Sequence, residues 1–186
     1  AQNNLGTMYS DAQGITKDKV KAFDWYGKAA AQGHVDAQYN LGGMYERGEG
    51  VAQSYAKAVE WYSKAATQGD SYAQNNLGVM YSKGLGVTQN DAKAFEWYSK
   101  AASHGHVYAQ NTIGGKYQKG LGVTQSNIKA FEWYSKAAAQ GDAYAQYNLA
   151  EMYKSGLGVT QSNAKAFEWY GKAADHGHAQ AKLLLA

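Results

Sequence analysis

Five tryptophans, Trp25, Trp61, Trp97, Trp133 and Trp169, follow one another at intervals of 36 residues without exception. The same register holds Tyr9, Tyr45, Tyr81, Tyr117 and Tyr153, and also Gly33, Gly69, Gly105, Gly141 and Gly177. A fixed period of that length marks a repeat architecture, in which each copy is one supersecondary element stacked on its neighbours. Five copies (1–36, 37–72, 73–108, 109–144 and 145–180) and a partial sixth at 181–186 account for all 186 residues. A single solenoid domain over 1–186 is therefore expected.

One copy, Ala73 to Tyr108, shows what each is made of. Ala73, Leu77, Met80 and Tyr81 stand at i, i+4, i+7 and i+8, the spacing of one apolar helical stripe. This predicts a helix A ending near Lys83. Gly84-Leu85-Gly86-Val87-Thr88 then offers glycines for a left-handed closing residue. A helix B is expected from Gln89 or Asn90 to His104, capped by Asn90 or Asp91. Its inner face carries Ala94, Trp97, Tyr98, Ala101 and Ala102, and Gly105 follows its end. Glu96/Lys100 and its counterparts Asp24/Lys28, Glu60/Lys64, Glu132/Lys136 and Glu168/Lys172 read as solvent-side i,i+4 ion pairs. Each would stabilise its helix by roughly 0.2–0.5 kcal/mol.

No stretch alternates with the period of a strand, so the fold is expected to be all-α. A lone A/B pair cannot bury its stripe, and successive pairs must share one elongated core. Gly42, Gly78 and Gly114 on A, with Ala58, Ala94 and Ala130 on B, allow close approach of the backbones. The prediction is an α-solenoid of five helix-turn-helix repeats, ten helices plus a partial eleventh.

Composition narrows the function. There is no cysteine, which removes disulfides, thiolate metal sites and cysteine nucleophiles together. A formal charge of +3, with Lys and Arg interleaved among acids, gives no basic stripe for nucleic acid. No apolar run has the length of a membrane span. The opening Ala1-Gln2-Asn3 has neither initiator Met nor signal-peptide pattern, so any signal is removed or the segment is excised.

The Leu-Gly, Gly-x-Gly-Val and Trp-Tyr-x-Lys-Ala-Ala elements, at Leu77, Gly84 and Trp97 in the copy above, resemble the Sel1-like repeat, a relative of the tetratricopeptide repeats. The resemblance covers essentially the whole chain. It departs at Ala12 in the first loop, at Thr112 and Lys116 in the fourth helix A, and at Ala150, which replaces a packing glycine. It implies a right-handed superhelix with helix A on the concave side, and a scaffold or adaptor that holds proteins or peptides. One cysteine-rich bacterial branch is associated with penicillin binding, and this chain lacks its cysteines.

Comparing the copies with one another separates framework from surface. Leu5, Leu41, Leu77, Ile113 and Leu149 are one core set. Two residues before them stand Asn3, Tyr39, Asn75, Asn111 and Tyr147, and two after them Thr7, Gly43, Val79, Gly115 and Glu151. Further on come Ser10, Glu46, Ser82, Gln118 and Lys154, then Asp11, Arg47, Lys83, Lys119 and Ser155. Another variable position holds Asp36, Tyr72, Tyr108, Tyr144 and Gln180. These positions change chemistry while their neighbours do not, and on the tetratricopeptide analogy they face the groove. The expected partner surface is Asp36, Tyr39, Glu46, Arg47, Tyr72, Asn75, Val79, Lys83, Tyr108, Asn111, Lys119, Tyr144, Tyr147 and Glu151. Tyrosines supply apolar area with a polar handle, and the amides of Asn75 and Asn111 suit an extended backbone. Asn4, Asn40, Asn76 and Asn148 are too regular for specificity and read as framework.

Other motifs carry less. The Gly-x-Gly-Val loops follow helices and recur in every copy, which marks turns and not phosphate cradles. His104-Gly-His106 and His176-Gly-His178 offer two imidazoles each, without a third ligand at ligand spacing. No catalytic constellation is visible, and no cofactor is expected. The reading is a non-catalytic module that binds a protein or peptide, with neither nucleic acid nor membrane as partner. An architectural spacer is the alternative, and a penicillin binder or hydrolase a more distant one. Both ends fall inside helix A patterns, so end-to-end self-association through uncapped terminal repeats is also an expectation.

Overall fold

Helix starts and stops are written by the same residue types in every repeat. A computed structural model describes residues 1–185, and among these eleven α-helices and no strand are found. The A helices are α1 (Gln2–Asp11), α3 (Val35–Arg47), α5 (Ser71–Lys83), α7 (Val107–Lys119), α9 (Ala143–Ser155) and α11 (Ala179–Leu185). The B helices are α2 (Lys19–Ala31), α4 (Tyr55–Thr67), α6 (Asp91–Ser103), α8 (Asn127–Ala139) and α10 (Asn163–Asp175). This is the all-helical five-repeat fold expected. The partial sixth copy is α11, and Ala186 lies outside the described residues.

Asp18, Ser54, Asn90, Ser126 and Ser162 cap the B helices by accepting the N–H three residues on. Of the two candidates for α6, Asn90 is thus the cap, and Asp91 falls in the first turn. Helix A closes on a left-handed glycine at Gly48, Gly84, Gly120 and Gly156. In the first loop Ala12 takes the same conformation, with φ 58°, and is the one non-glycine residue with positive φ among those described. The second loop glycine, Gly50, Gly86 or Gly158, lies against the backbone that opens the preceding helix B, at Lys19, Tyr55 and Asn127. A side chain there would collide with main chain, so these loops are packing devices.

The chain forms two compact units, Ala1–Trp97 and Tyr98–Ala186. In the first, α1 to α4 and α5 pack in sequence order; in the second, α7 to α11 do so. The first unit holds one cluster around Ala22, Tyr26, Leu41 and Met44 and another around Ala58, Tyr62, Leu77 and Met80. The second holds clusters around Tyr134, Leu149 and Met152 and around Ala150, Ala166 and Tyr170. Gly6, Gly42 and Gly114 lie under the rings of Tyr26, Tyr62 and Tyr134, where a Cβ would stand 2.6–2.7 Å from Cδ1. α7 continues through Thr112 and Lys116, and Lys116 is only 6% exposed, although Met44, Met80 and Met152 hold its register elsewhere.

A buried amide joins consecutive repeats. Gln38, Gln74, Gln110 and Gln146 donate through Nε2 to the Ala30, Ala66, Ala102 and Ala138 carbonyls, each of which also accepts the N–H of the glycine that ends the turn. Gln68 donates in turn to Gln38 Oε1 at 2.8 Å and Gln140 to Gln110 Oε1 at 2.7 Å, and His176 Nδ1 meets Gln146 Oε1 at 2.9 Å.

The anticipated ion pairs on the B helices take another form. The ammonium groups of Lys28, Lys64 and Lys136 lie over Trp25, Trp61 and Trp133, 3.8–4.3 Å from the ring centroids. Among the described residues none of these three pairs with Asp24, Glu60 or Glu132; Lys172 alone of the four meets both its tryptophan and Glu168. An exposed ion pair gains little, whereas the indole face is already fixed by packing.

Candidate functional site

The face of the A helices is shaped by a tyrosine that belongs to the B helices. Tyr62, Tyr134 and Tyr170 are buried, and each must still find an acceptor for its hydroxyl. In the second and fourth repeats the hydroxyl reaches sixteen residues back, to Glu46 Oε2 at 2.6 Å and to Gln118 Oε1 at 3.1 Å. In the first and fifth it reaches nineteen back, from Tyr26 to Thr7 Oγ1 at 3.1 Å and from Tyr170 to Glu151 Oε1. The choice follows the position two after the core leucine. Gly43 and Gly115 offer no acceptor there; Thr7 and Glu151 do. Burial, and then the bond to the carboxylate, push the Tyr62 and Tyr170 phenols far above their ordinary range, and burial pushes Tyr134 up to about 12.

In the first unit this gathers several of the residues singled out from sequence. Tyr39 is half-buried, its ring 5.7 Å from Tyr62 and 6.1 Å from Tyr72. Burial, then the Asp70 charge, raise the Tyr39 phenol, while a hydrogen bond to Asn76 opposes them. Arg47 folds over Gly43, with a guanidinium nitrogen 3.0 Å from where a Cβ would be. Its Nε donates to Glu49 Oε1 at 3.0 Å, and Lys19 approaches Glu49 Oε2 at 2.9 Å. Hydrogen bonding from Arg47 and then Lys19 holds the Glu49 carboxyl down at about 2. Asp36, Tyr72 and Lys83 are exposed, and Val79 is half-buried. Asn75 lies deeper than an amide awaiting a peptide backbone: it is 8% exposed, and its Oδ1 has no hydrogen-bond partner.

The second unit assembles Tyr144, Tyr147 and Glu151. Tyr147 stacks on His178 with centroids 4.3 Å apart and lies 5.6 Å from Tyr170; Tyr144 meets the same imidazole edge-on at 5.0 Å. Burial, then Glu151, raise the Tyr147 phenol. His178 Nδ1 accepts from Ala181 N–H, which fixes the ring as an N-cap. Asn111 Oδ1 accepts from Asn148 Nδ2 at 3.2 Å, so one member of the regular Asn set does serve the framework. Tyr108 and Lys119 are exposed and stand apart from this cluster. Sequence reasoning named Tyr98 alone of the helix B tyrosines on an inner face and read His178 as half of a two-imidazole motif, so it missed the part of Tyr62, Tyr170 and His178 in this face. The usable signal was a core tyrosine facing a variable acceptor position on helix A.

Among the described residues no three His, Asp or Glu side chains converge at metal-ligand distance, and no helix is long and apolar enough to cross a membrane.

A family model described as the Sel1 repeat matches residues 1–34, 35–70, 71–106, 107–142 and 143–178. Among curated proteins no sequence matches. Among solved structures, c5321, a protective antigen present in uropathogenic Escherichia coli strains, is 40% identical with a TM-score of 0.94, over 97% of this chain and 38% of that one. A Sel1 repeat protein from Oxalobacter formigenes is 37% identical with a TM-score of 0.89, over 97% of this chain and 72% of that one. Helicobacter pylori cysteine rich protein B is 26% identical with a TM-score of 0.55, over 69% of this chain and 92% of that one. The chain thus spans well under half the length of the Escherichia coli antigen it matches.

Proposed function

The chain belongs to the Sel1 repeat family, and from that premise we propose that it acts as one solenoid domain whose A helices hold a peptide or a partner's helix without chemistry on it. Proteins of this family are generally protein-interaction scaffolds, and their fold is typically non-enzymatic. The observation that carries the reading is the exposure of Tyr72, Tyr108 and Tyr144 in one repeat register, at 60%, 55% and 67%. Large tyrosine rings left in water, with half-buried Tyr39 beside Tyr72 and His178 beside Tyr144, have the character of a recognition surface. Many modest contacts of this kind give affinity while the backbone stays in place.

The test is selection of a displayed random peptide library on the intact chain. Binders are then measured against the triple variant Tyr72→Ala, Tyr108→Ala, Tyr144→Ala, after circular dichroism shows equal helicity. Peptides lost by the triple variant are the expected result. Peptides retained in full would move the surface elsewhere, and a library without any binder would leave an architectural spacer as the reading.

A further inference from the structure

Resting on the peptide-binding reading, we propose that His178 makes the Tyr144 end of that surface pH-dependent: a proton taken up by its imidazole uncaps α11, withdraws the ring against which Tyr144 and Tyr147 pack, and weakens peptide capture there. His178 is half-buried and immediately precedes α11. Its Nδ1 accepts the Ala181 N–H at 3.2 Å, which requires a neutral ring with its proton on Nε2. The same ring is stacked on Tyr147 and met edge-on by Tyr144, with centroids 4.3 and 5.0 Å apart. One imidazole therefore closes a helix and walls a pair of tyrosines.

Imidazole is the side chain that ordinarily changes charge between pH 5 and 8. Once protonated, both of its nitrogens are donors, so no turn of the ring offers Ala181 an acceptor. Ala181 is fully buried, and water cannot replace the lost partner while the helix stays closed. The new cation also faces the positive end of the helix dipole. Attraction of an imidazolium to the Tyr147 face does not supply the missing acceptor. Around His178 stand the phenols of Tyr144 and Tyr147 on α9, and Glu151, which bonds Tyr147 in turn. Tyr170 on α10 lies beyond Tyr147, Asp175 and His176 precede His178 in the chain, and the Lys182 N–H of α11 donates to the His178 carbonyl. Of these only His176 is a second imidazole. Its Nδ1 meets Gln146 Oε1 as Gln140 meets Gln110, and as a donor it keeps that bond in either charge state. At the register of His178, Asp70 and Asp142 cap α5 and α9 through carboxylate oxygens, accepting from Ala73 and Ala145 N–H at 2.6 Å. Asp70 also stands near a tyrosine of the preceding helix A, for its charge helps to raise the Tyr39 phenol. An aspartate thus fits this place beside a tyrosine and caps without an imidazole's dependence on pH.

NMR from about pH 8 to pH 5 tests this on the intact chain, on His178→Asp and on His176→Gln. In the parent and in His176→Gln, the Ala181 Cα shift should lose its helical value, and the Tyr144 and Tyr147 rings should move, at the midpoint of the His178 ring itself. Ala145, capped by Asp142, should hold in all three, and Ala181 should hold in His178→Asp. The binding probes are library-selected peptides that need Tyr144 and not Tyr108, because His106 caps α7 through the same atom. Their affinity should fall by ~3-fold or more over this range in the parent and stay level in His178→Asp. An Ala181 shift that stays helical through the His178 titration, or a pH dependence equal in parent and His178→Asp, would overturn the proposal. Peptides held through Tyr144 equally well at both ends of the range leave peptide capture standing and remove only its regulation. A library that yields no peptide, or none that needs Tyr144, removes the site and the regulation with it.

Discussion

Replacing Gly42 by Ala tests whether the helix B tyrosine sets the helix A face. A Cβ there would stand 2.7 Å from Tyr62 Cδ1 and 2.9 Å from Cε1. Tyr62 is 1% exposed and its hydroxyl is held by Glu46, so the ring has to move and the bond has to break. Alanine returns about 1 kcal/mol of helix propensity over glycine. Against this stand about 1–3 kcal/mol for overpacking and about 1.5–3 kcal/mol for a lost hydrogen bond to a charged group. The net is a destabilisation of about 3 kcal/mol. The fifth repeat already shows the way out: Ala150 occupies the glycine's register, and Tyr170 bonds to Glu151 one position on. Adding Gly43→Glu to Gly42→Ala transplants that solution, with only the flexible end of Arg47 to displace. The double variant should recover at least half of the loss, about 1.5 kcal/mol. Because repeat arrays open in parts, the assay is amide hydrogen exchange across α3 and α4 beside urea unfolding. A Gly42→Ala chain as stable as its parent, or a Gly43→Glu change that adds nothing in its background, refutes the reasoning.

Three further changes follow from single sites. Ala12→Gly relieves the non-glycine residue at φ 58° and should stabilise the first repeat by about 0.5–1 kcal/mol, read as slower exchange in α1; faster exchange would contradict it. Lys116→Met restores the residue held by the other repeats at a buried position, where the ammonium lies 5.9 Å from the Tyr98 centroid. Removing a buried charge in favour of an apolar side chain of similar length should raise stability by about 1–2 kcal/mol, and a lower urea midpoint would show that the lysine is needed. Glu49 has its folded pKa lowered from 4.5 to about 2, so its contribution is complete above the unfolded value and is lost as pH falls through that window. NMR titration of its side-chain carbonyl should give a midpoint at about 2; a midpoint at the unfolded value of 4.5 would mean that the Lys19–Glu49–Arg47 strap does not form in solution.

The order in which these features became legible has a physical cause. Period, caps and closing glycines are local, so 36-residue spacing, Asn90 and Gly84 specify helices and their ends directly. Ala12 shows the limit: the loop that follows demands a left-handed residue whatever stands there, and alanine takes the strain. The lysines of helix B mislead because a sequence displays Glu60 and Lys64 at i,i+4 but not the fixed indole face of Trp61 at i−3. Asn75 misleads because a helical wheel sees one helix and not what packs over it, and its amide ends 8% exposed. The variable set on helix A was read as surface free for a partner. Part of it serves the protein first: Thr7, Glu46, Gln118 and Glu151 exist at those positions to receive a tyrosine proton from the neighbouring helix. Thr7 and Gln118 meet that need with neutral oxygens, as any hydroxyl or amide would. Glu46 and Glu151 meet it with a carboxylate, whose charge the tyrosine does not require, so the acceptor alone, and not its charge, is what the fold asks of these positions.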